Sequence, residues 1–305
     1  MVTNTYITYI SNDRDIRAVL NLAFNLTKTK TKFPLQCICT ENVSKEGTRI
    51  LKERGIIIKH INLRTTLKHF SVQDNKIEYF INKHLFGKFY IFNIEGNHKF
   101  VYLDTDVLIL QNIDHLFKQT TLNNIYMVPD MQASDDYSKI ILIKNRFNSG
   151  VIVSENNRNI FNNLYKLLAD NVDELINNPD VFVSDQFIFE KLIDNNSYNI
   201  LRQDLSYNIH PILVESALSL NLIERPYIIH FMVKPKPWEL MDITIQSHKF
   251  ENETCKKYFI MWIQMYYELT MYLYFNKNMG KTNIKSYHIG EYNNENKLEY
   301  QLSPI

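Results

Sequence analysis

Phe100-Val101-Tyr102-Leu103-Asp104-Thr105-Asp106-Val107-Leu108-Ile109-Leu110 is the stretch from which the fold is read. Its apolar, β-branched and aromatic residues form a short continuous run, the pattern of a strand covered on both faces. Two carboxylates interrupt that run. Like charges about 4 Å apart repel by roughly 4 kcal/mol at an effective dielectric of ~20, so paired acids in an apolar strand call for a compensating positive charge. A divalent cation supplies it: Asp104 and Asp106 are hard oxygen ligands, and their i, i+2 spacing puts both side chains on one face of an extended segment. The metal then belongs at the strand's carboxyl end, where open α/β sheets bind ligands. The competing reading is a strand exit whose acids are merely solvated.

Upstream, residues 6–10 read as a first strand, followed by the turn Ser11-Asn12-Asp13 and a helix with apolar positions Ile16, Val19, Leu20, Ala23 and Leu26. A second strand covers 35–39. Ser44 is an N-cap for a helix carrying Ile50 and Leu51, and Gly55 closes that helix before a strand over 56–61. Strands alternating with helices predict a parallel sheet with Rossmann-like winding. There is no Gly-x-Gly-x-x-Gly after the first strand and no Gly-x-x-x-x-Gly-Lys-Ser/Thr in the chain, which removes the dinucleotide and P-loop signatures. Residues 63–75 carry no usable period. Residues 77–90 read as a helix with Tyr79, Phe80, Leu85 and Phe89 partly buried and Lys88 near its end.

Downstream, residues 112–117 suggest a short helical turn, 125–128 a strand and 130–146 a polar loop. Phe147-Asn148-Ser149-Gly150-Val151-Ile152-Val153 reads as a strand entered through small residues that let a ligand approach the backbone, or as a plain turn. Helices follow over 160–168 and 185–193, the second opening with Asp185-Gln186, an acid that can equally be a simple N-terminal cap. A strand over 227–231 delivers His230 and runs into Lys234-Pro235-Lys236-Pro237-Trp238; a histidine there is as readily a hydrogen-bonded core residue as a ligand. Tyr258, Met261, Trp262, Met265, Leu269, Tyr272 and Leu273 fall at helical spacing. The expected organisation is therefore one domain over 1–245, a helix over 246–275 packed on it, and a polar tail over 276–305.

With Lys+Arg 34 against Asp+Glu 33, the formal net charge of +1 points to no nucleic-acid or acidic-membrane partner. Cys37, Cys39 and Cys255 make no disulfide framework and fit a reducing compartment. The N-terminus lacks a basic region followed by an apolar core, and no apolar run reaches the ~20 residues that span a bilayer. The expectation is a soluble, cytoplasmic protein.

Taken in order, the Asp-x-Asp strand, Phe147-Asn148-Ser149-Gly150, Asp185-Gln186 and His230 with Lys236-Pro237-Trp238 resemble glycosyltransferase family 8, on its glycogenin-like side, from residue 6 to about 238. The resemblance implies an α/β protein: a single GT-A domain with a mostly parallel central sheet and a C-terminal helical addition. It also implies a Mn(II)-dependent, retaining transfer of a hexose, glucose foremost, from a UDP-sugar to an acceptor hydroxyl on a saccharide or protein. By that likeness Asp104, Asp106 and His230 ligate the metal, which bridges the diphosphate as a Lewis acid, and Lys236 adds positive charge at the same phosphates. Lys88, sixteen positions before Asp104, matches the family's sugar-contacting lysine. With Asn148, Asp185 and Gln186 it holds the hexose, while Tyr9, Ser11 and Asn12 cradle uridine and Thr105 and Ser149 complete the donor site. Asp185 or Gln186 faces the anomeric carbon, as transient nucleophile or as stabiliser of an oxocarbenium-like state. A homodimer is the family's common state.

Some positions depart from that pattern. Val233 replaces a glycine that lets backbone approach the phosphates, Asp15 stands where the pattern has a tyrosine over uracil, and Phe182 replaces an extra acid. Glu215, Ser216 and Ala217 occupy the neighbourhood of a self-glycosylated tyrosine, which argues against self-priming there and leaves a tail tyrosine such as Tyr292 as substitute. These departures motivate an alternative, a UDP-sugar-binding or scaffold protein with weak catalysis. A phosphatase of the haloacid dehalogenase type also begins with an apolar strand and Asp-x-Asp, but Leu108 stands where that motif has Thr or Val.

Overall fold

The protein is described by a computed structural model that covers residues 3–82, 86–95, 98–121, 123–134, 139–178, 183–194, 198–241 and 248–278. Strand β1 (Thr3–Ile10) leads through a 3-10 turn into α1 (Ile16–Lys28), β2 (Leu35–Cys39), α2 (Lys45–Glu53) and β3 (Ile57–His60). Ser44 does cap α2, its Oγ accepting from Gly47 N–H at 2.9 Å, and Gly55 follows the helix with φ +76°, where a side chain would be strained. Next come α3 (Leu63–His69) and α4 (Asp74–Asn82). The first is opened by Asn62, whose side chain accepts from Thr65 N–H at 2.8 Å, a cap in a stretch that showed no period.

The helix read over 77–90 is divided. Phe86 has φ +70°, a left-handed conformation no α-helix continues through, and a separate 3-10 turn, Gly87–Phe92, carries Lys88. Strand β4 (His98–Leu103) is followed by β5 (Val107–Ile109) in a different sheet, so the run 100–110 is two strands broken at its acids. The polar segment 130–146 likewise contributes to strands: β6 (Asn124–Ala133) and β7 (Ile140–Glu155) pair antiparallel out to Ala133↔Ile140. Then follow α5 (Arg158–Asp170), α6 (Val172–Asn177), α7 (Asp185–Asp194), β8 (Asn199–Arg202), α8 (Val214–Ser219), β9 (Ile228–His230), α9 (Pro237–Leu240) and α10 (Glu253–Asn278). Leu85, Phe182 and Tyr292 lie outside the described residues.

The main sheet runs β3-β2-β1-β4-β7-β6-β8, and β5 pairs with β9 in a second, two-stranded sheet. The β3-β2-β1-β4 half and the β6-β8 pair are parallel, while β7 is antiparallel to both its neighbours. Successive residues of a strand point to opposite faces. Ile7, Ile38, Phe100, Tyr102 and Ile152 accordingly join one core with α5 and α7, whereas Tyr6, Cys37, Cys39, Val101, Leu103 and Val153 join another with α1. Both faces are covered, hence the continuous apolar strands. A third core gathers β9, α8 and α10 around Trp262, which is 1% exposed. Asn21 of α1 donates to Trp262 O at 3.3 Å, joining α10 to the first helix. The three cysteines are buried thiols. Among the described residues no helix is long and apolar enough to cross a membrane.

Candidate functional site

Register brings the chemistry-bearing residues to one edge. In the β1-β4 ladder Ile7 pairs with Tyr102; two residues further along each strand come Tyr9 and Asp104. In the β4-β7 ladder Leu103 pairs with Val151, and Asp104 N–H donates to Gly150 O at 2.8 Å. In the second sheet Val107 pairs with His230, and Phe231 N–H donates to Asp106 O at 2.9 Å. The Asp-Thr-Asp turn thus passes the chain from one sheet to the other, with its acids where the ladders end and polar groups need not displace apolar packing.

His230 is 4% exposed, and its Nε2 lies 3.2 Å from Asp106 Oδ1 and 3.7 Å from Asp104 Oδ2. One ligand atom from each of the three residues falls within 4.8 Å of the others. The remaining carboxylate oxygens are engaged: Asp104 Oδ1 accepts from the Tyr102 hydroxyl and from Lys88 Nζ at 3.1 Å, and Asp106 Oδ2 accepts from Lys236 Nζ at 2.6 Å. Each acid therefore turns one oxygen toward the imidazole, a donor set of two carboxylates and one ring nitrogen that suits a hard-to-borderline divalent cation. Burial alone would raise the Asp106 carboxyl, but His230 and Lys236 hold it well below the usual carboxylate range. Lys236 Nζ also donates to Phe231 O at 2.7 Å and Met232 O at 3.1 Å, and Val233 beside it is 56% exposed.

Lys88 is buried. Its ammonium reaches Asp185 Oδ2 at 2.8 Å and Asp104 Oδ1 at 3.1 Å, donates to Ser149 Oγ at 3.2 Å, and stands 5.0 Å from the Tyr102 ring centroid. Desolvation works against the charge, yet Asp104 and Asp185 keep it protonated, above the ordinary lysine value. The neighbouring Gly87 is required for this approach: a Cβ there would lie 2.3 Å from the ring of Tyr9. Tyr9 is thereby packed beside the Lys88 turn. At the same strand end Ser11 is buried and accepts through its carbonyl from Thr40 Oγ1 at 2.9 Å, and Asn12 caps the following turn by accepting from Arg14 N–H at 2.9 Å. Thr105 is half-buried between the two acids.

Asp185 stands in the first turn of α7, where Ser184 Oγ accepts from Phe187 N–H at 3.3 Å and Asp185 itself reaches out to Lys88. Gln186 Nε2 donates to Asp130 Oδ2 at 3.1 Å. Asp130, read from sequence as the start of a loop, is thus a member of the site; its signal was its place just past an apolar strand at the same edge of the sheet. Asn148 is half-buried beside Met232 Sδ, 3.4 Å from its Nδ2. The opening expected for a ligand at Gly150 is filled differently. A Cβ there would lie 2.1 Å from His230 Cε1 and 2.5 Å from its Nδ1, so the missing side chain makes room for the imidazole. Asn208, fully buried and bonded to His230 Nδ1 at 2.7 Å, was not singled out from sequence. The structure brings Lys88, Asp104, Asp106, Ser149, Asp185, His230 and Lys236 into one connected cluster, with Tyr9, Ser11, Asn12, Thr105, Asn148 and Gln186 along the same edge.

Compared with known proteins, residues 6–242 match the family model described as "Glycosyl transferase family 8". Galactinol synthase 4 of Arabidopsis thaliana is 30% identical over 115 residues, 37% of this chain and 33% of that protein. Galactinol synthase 6 of the same organism is 24% identical over 269 residues, 78% of this chain and 74% of that protein. The match to the first therefore spans a third of that relative's length and the match to the second about three quarters. A crystal structure of the galactosyltransferase LgtC in complex with donor and acceptor sugar analogs superposes with a TM-score of 0.59 at 14% identity, covering 87% of this chain and 96% of that one. That likeness is one of fold, the GT-A architecture with a mostly parallel central sheet.

Proposed function

The chain belongs to glycosyl transferase family 8, and from that premise we propose that it transfers a hexose from a UDP-sugar to an acceptor hydroxyl with retention at the anomeric carbon, Mn(II) being held by Asp104, Asp106 and His230. The observation that carries this reading is the convergence of those three ligand atoms within 4.8 Å, with the cations Lys88 and Lys236 on either side. A divalent cation held there supplies Lewis-acid charge to the departing diphosphate. Lys236 adds a second positive charge that is worth most as negative charge grows on the leaving group. Lys88, fixed between Asp104 and Asp185, donates to hexose hydroxyls together with Asn148. Tyr9, Ser11, Asn12, Thr105 and Ser149 line the nucleotide end. Asp185 and Gln186 take the anomeric side; because Gln186 gives its N–H to Asp130, its carbonyl oxygen is the end that meets positive charge developing on the sugar. Nucleophilic and front-face routes both remain compatible with that pair.

Glucose is the hexose the glycogenin-like motifs favour, while the names galactinol synthase and galactosyltransferase among the relatives bring galactose forward. The proposal takes 1–245 as the catalytic domain with the helix of 246–275 packed on it, the acceptor as a saccharide or protein hydroxyl, and the working form as a cytoplasmic homodimer. The test is UDP release from a panel of UDP-sugars with Mn(II), with and without EDTA, and with Asp106→Asn as control. Metal-dependent release from one sugar is expected, falling at least about 100-fold in Asp106→Asn with the fold intact, the scale of a lost transition-state charge contact. Unchanged turnover in the variant would sink the metal assignment. The exposed Val233, standing in place of a glycine near Lys236, favours the second reading, a protein that binds UDP and Mn(II) without turnover; calorimetric binding with no release from any sugar, with an acceptor panel present, would favour it.

A further inference from the structure

We propose that Asn208 is a positioning residue that fixes the tautomer of His230, so that the ring presents its Nε2 lone pair to the cation site; this rests on the metal reading above. The argument follows a chain of hydrogen bonds that has only one sense. The Gly150 backbone N–H can only donate, and it donates to Asn148 Oδ1 at 2.9 Å. That contact fixes which end of the Asn148 amide is oxygen. Asn208 Nδ2 donates to the same oxygen at 2.8 Å, which turns Asn208 Oδ1 toward His230 Nδ1 at 2.7 Å. An amide oxygen only accepts, so Nδ1 carries the proton. In the neutral imidazole the lone pair then sits on Nε2, the nitrogen that faces Asp104 and Asp106.

The surroundings hold this arrangement in place. Asn208 is 0% exposed, and its backbone N–H donates to Leu205 O at 3.2 Å. The next residue, Ile209, bridges to Ile229 and accepts from His230 N–H at 2.9 Å. Backbone and side chain thus fix the ring from two sides. Gly150 enters twice, through the amide that anchors the chain and through the missing Cβ that admits the ring. The chain also gives Asn148 a fixed polarity. Its oxygen is taken by two donors, and its Nδ2 is the end available to a sugar hydroxyl.

Mn(II) affinity of the full chain, measured by calorimetry and by the loss of free Mn(II) signal in electron paramagnetic resonance, tests this without any turnover. Asn208→Leu, which fills the volume but cannot accept, should bind Mn(II) about 10–100-fold more weakly, the usual consequence of removing the partner of a metal-bound histidine. Asn208→Asp still accepts from Nδ1–H, although it gives up the N–H to Asn148 Oδ1, and, the acceptor being what sets the tautomer, should stay within about threefold of the wild type when folded. Wild-type affinity in Asn208→Leu, or a loss in folded Asn208→Asp as large as that of Asn208→Leu, would overturn the role of Asn208. Should Asn208→Leu not fold, a tenfold or greater loss in folded Asn208→Asp overturns it on its own, on the same scale. Absence of Mn(II) uptake by the wild type would instead overturn the metal reading.

Discussion

Replacing Lys88 by Met removes one buried cation from between two carboxylates, and the structure allows the consequence to be worked through. Its ammonium lies 2.8 Å from Asp185 and 3.1 Å from Asp104, and the Lys88 and Asp185 side chains are only 9% and 15% exposed. At an effective dielectric of ~20 each contact at about 3 Å is worth roughly 5–6 kcal/mol of Coulomb attraction, against a desolvation penalty of several kcal/mol per ion. The net value of the pair is therefore small, but deleting one member leaves the others buried without it, a loss of about 3–5 kcal/mol. Lys88→Met should lose that much stability in urea unfolding at neutral pH in EDTA, followed by the fluorescence of Trp238 and Trp262. The double variant Lys88→Met/Asp185→Asn removes the orphaned charge as well and should recover at least half of the loss, a coupling of the kind expected for residues in contact. Under the proposed function sugar transfer should be lost in both, because the proposed hexose contact of Lys88 is gone whether or not the fold recovers. Destabilisation below about 1 kcal/mol in the single variant, or additive losses in the double, would refute the view that Lys88 is held by these two acids.

Other outcomes follow from packing and titration. Trp262, 1% exposed and packed against Tyr266 and Trp238 at centroid distances of 6.0 and 5.6 Å, should cost about 3–5 kcal/mol when changed to Ala, read as a lower urea midpoint; a near-neutral effect would mean that α10 does not belong to the core. His210 is pushed down to about 4, first by burial and then by its neighbours His230 and Lys236, against the opposing pull of Glu251, and its Nδ1 accepts from Ile212 N–H at 3.3 Å. The folded state then binds fewer protons than the unfolded state below about pH 6.5, so stability is full above that value and falls as pH drops toward 4, by up to about 3 kcal/mol. His210→Asn keeps an acceptor for Ile212 and does not titrate; urea unfolding at pH 7 and pH 4.5 should show a smaller acid loss than in the wild type, and equal losses would count against His210 as the sensor.

The parts of this fold that were legible from sequence are those whose cause is local. The strand over 35–39 matches β2 residue for residue, the Ser44 cap and the Gly55 exit are where side-chain chemistry and φ demand them, and the α1 stripe faces its core. The parts that were not legible depend on distant partners. The helix read through Lys88 cannot continue past Phe86, which takes a left-handed conformation that no residue type announced; a glycine in its place would have. Residues 130–146 read as loop because the polar run over 134–139 outweighs the apolar Ile140-Ile141-Leu142-Ile143, whereas β6 and β7 pair from Met131↔Leu142 to Ala133↔Ile140, and with that pairing went Asp130. Asn208 carries no periodic signal. Its meaning comes from His230, twenty-two residues on, and from a backbone amide in another sheet.

The same partners explain why the acids of the opening stretch interrupt a strand instead of lying inside one. In a continuous β4 their oxygens would face apolar neighbours, with several kcal/mol of desolvation uncompensated for each. The chain leaves the main sheet at Leu103 and enters the second at Val107, and the turn between them meets three cationic or imidazole groups that arrive from separate elements: Lys88 from a 3-10 turn, His230 from β9 and Lys236 from the loop after it. Through direct contacts the cluster gathers the carboxylates of Asp104, Asp106 and Asp185 against the ammonium groups of Lys88 and Lys236. That leaves one net negative charge. A divalent cation would reverse its sign, so under the proposed function the cluster favours the cation together with an anionic diphosphate over the cation alone, and metal and nucleotide sugar assist each other's binding through charge already fixed in the fold.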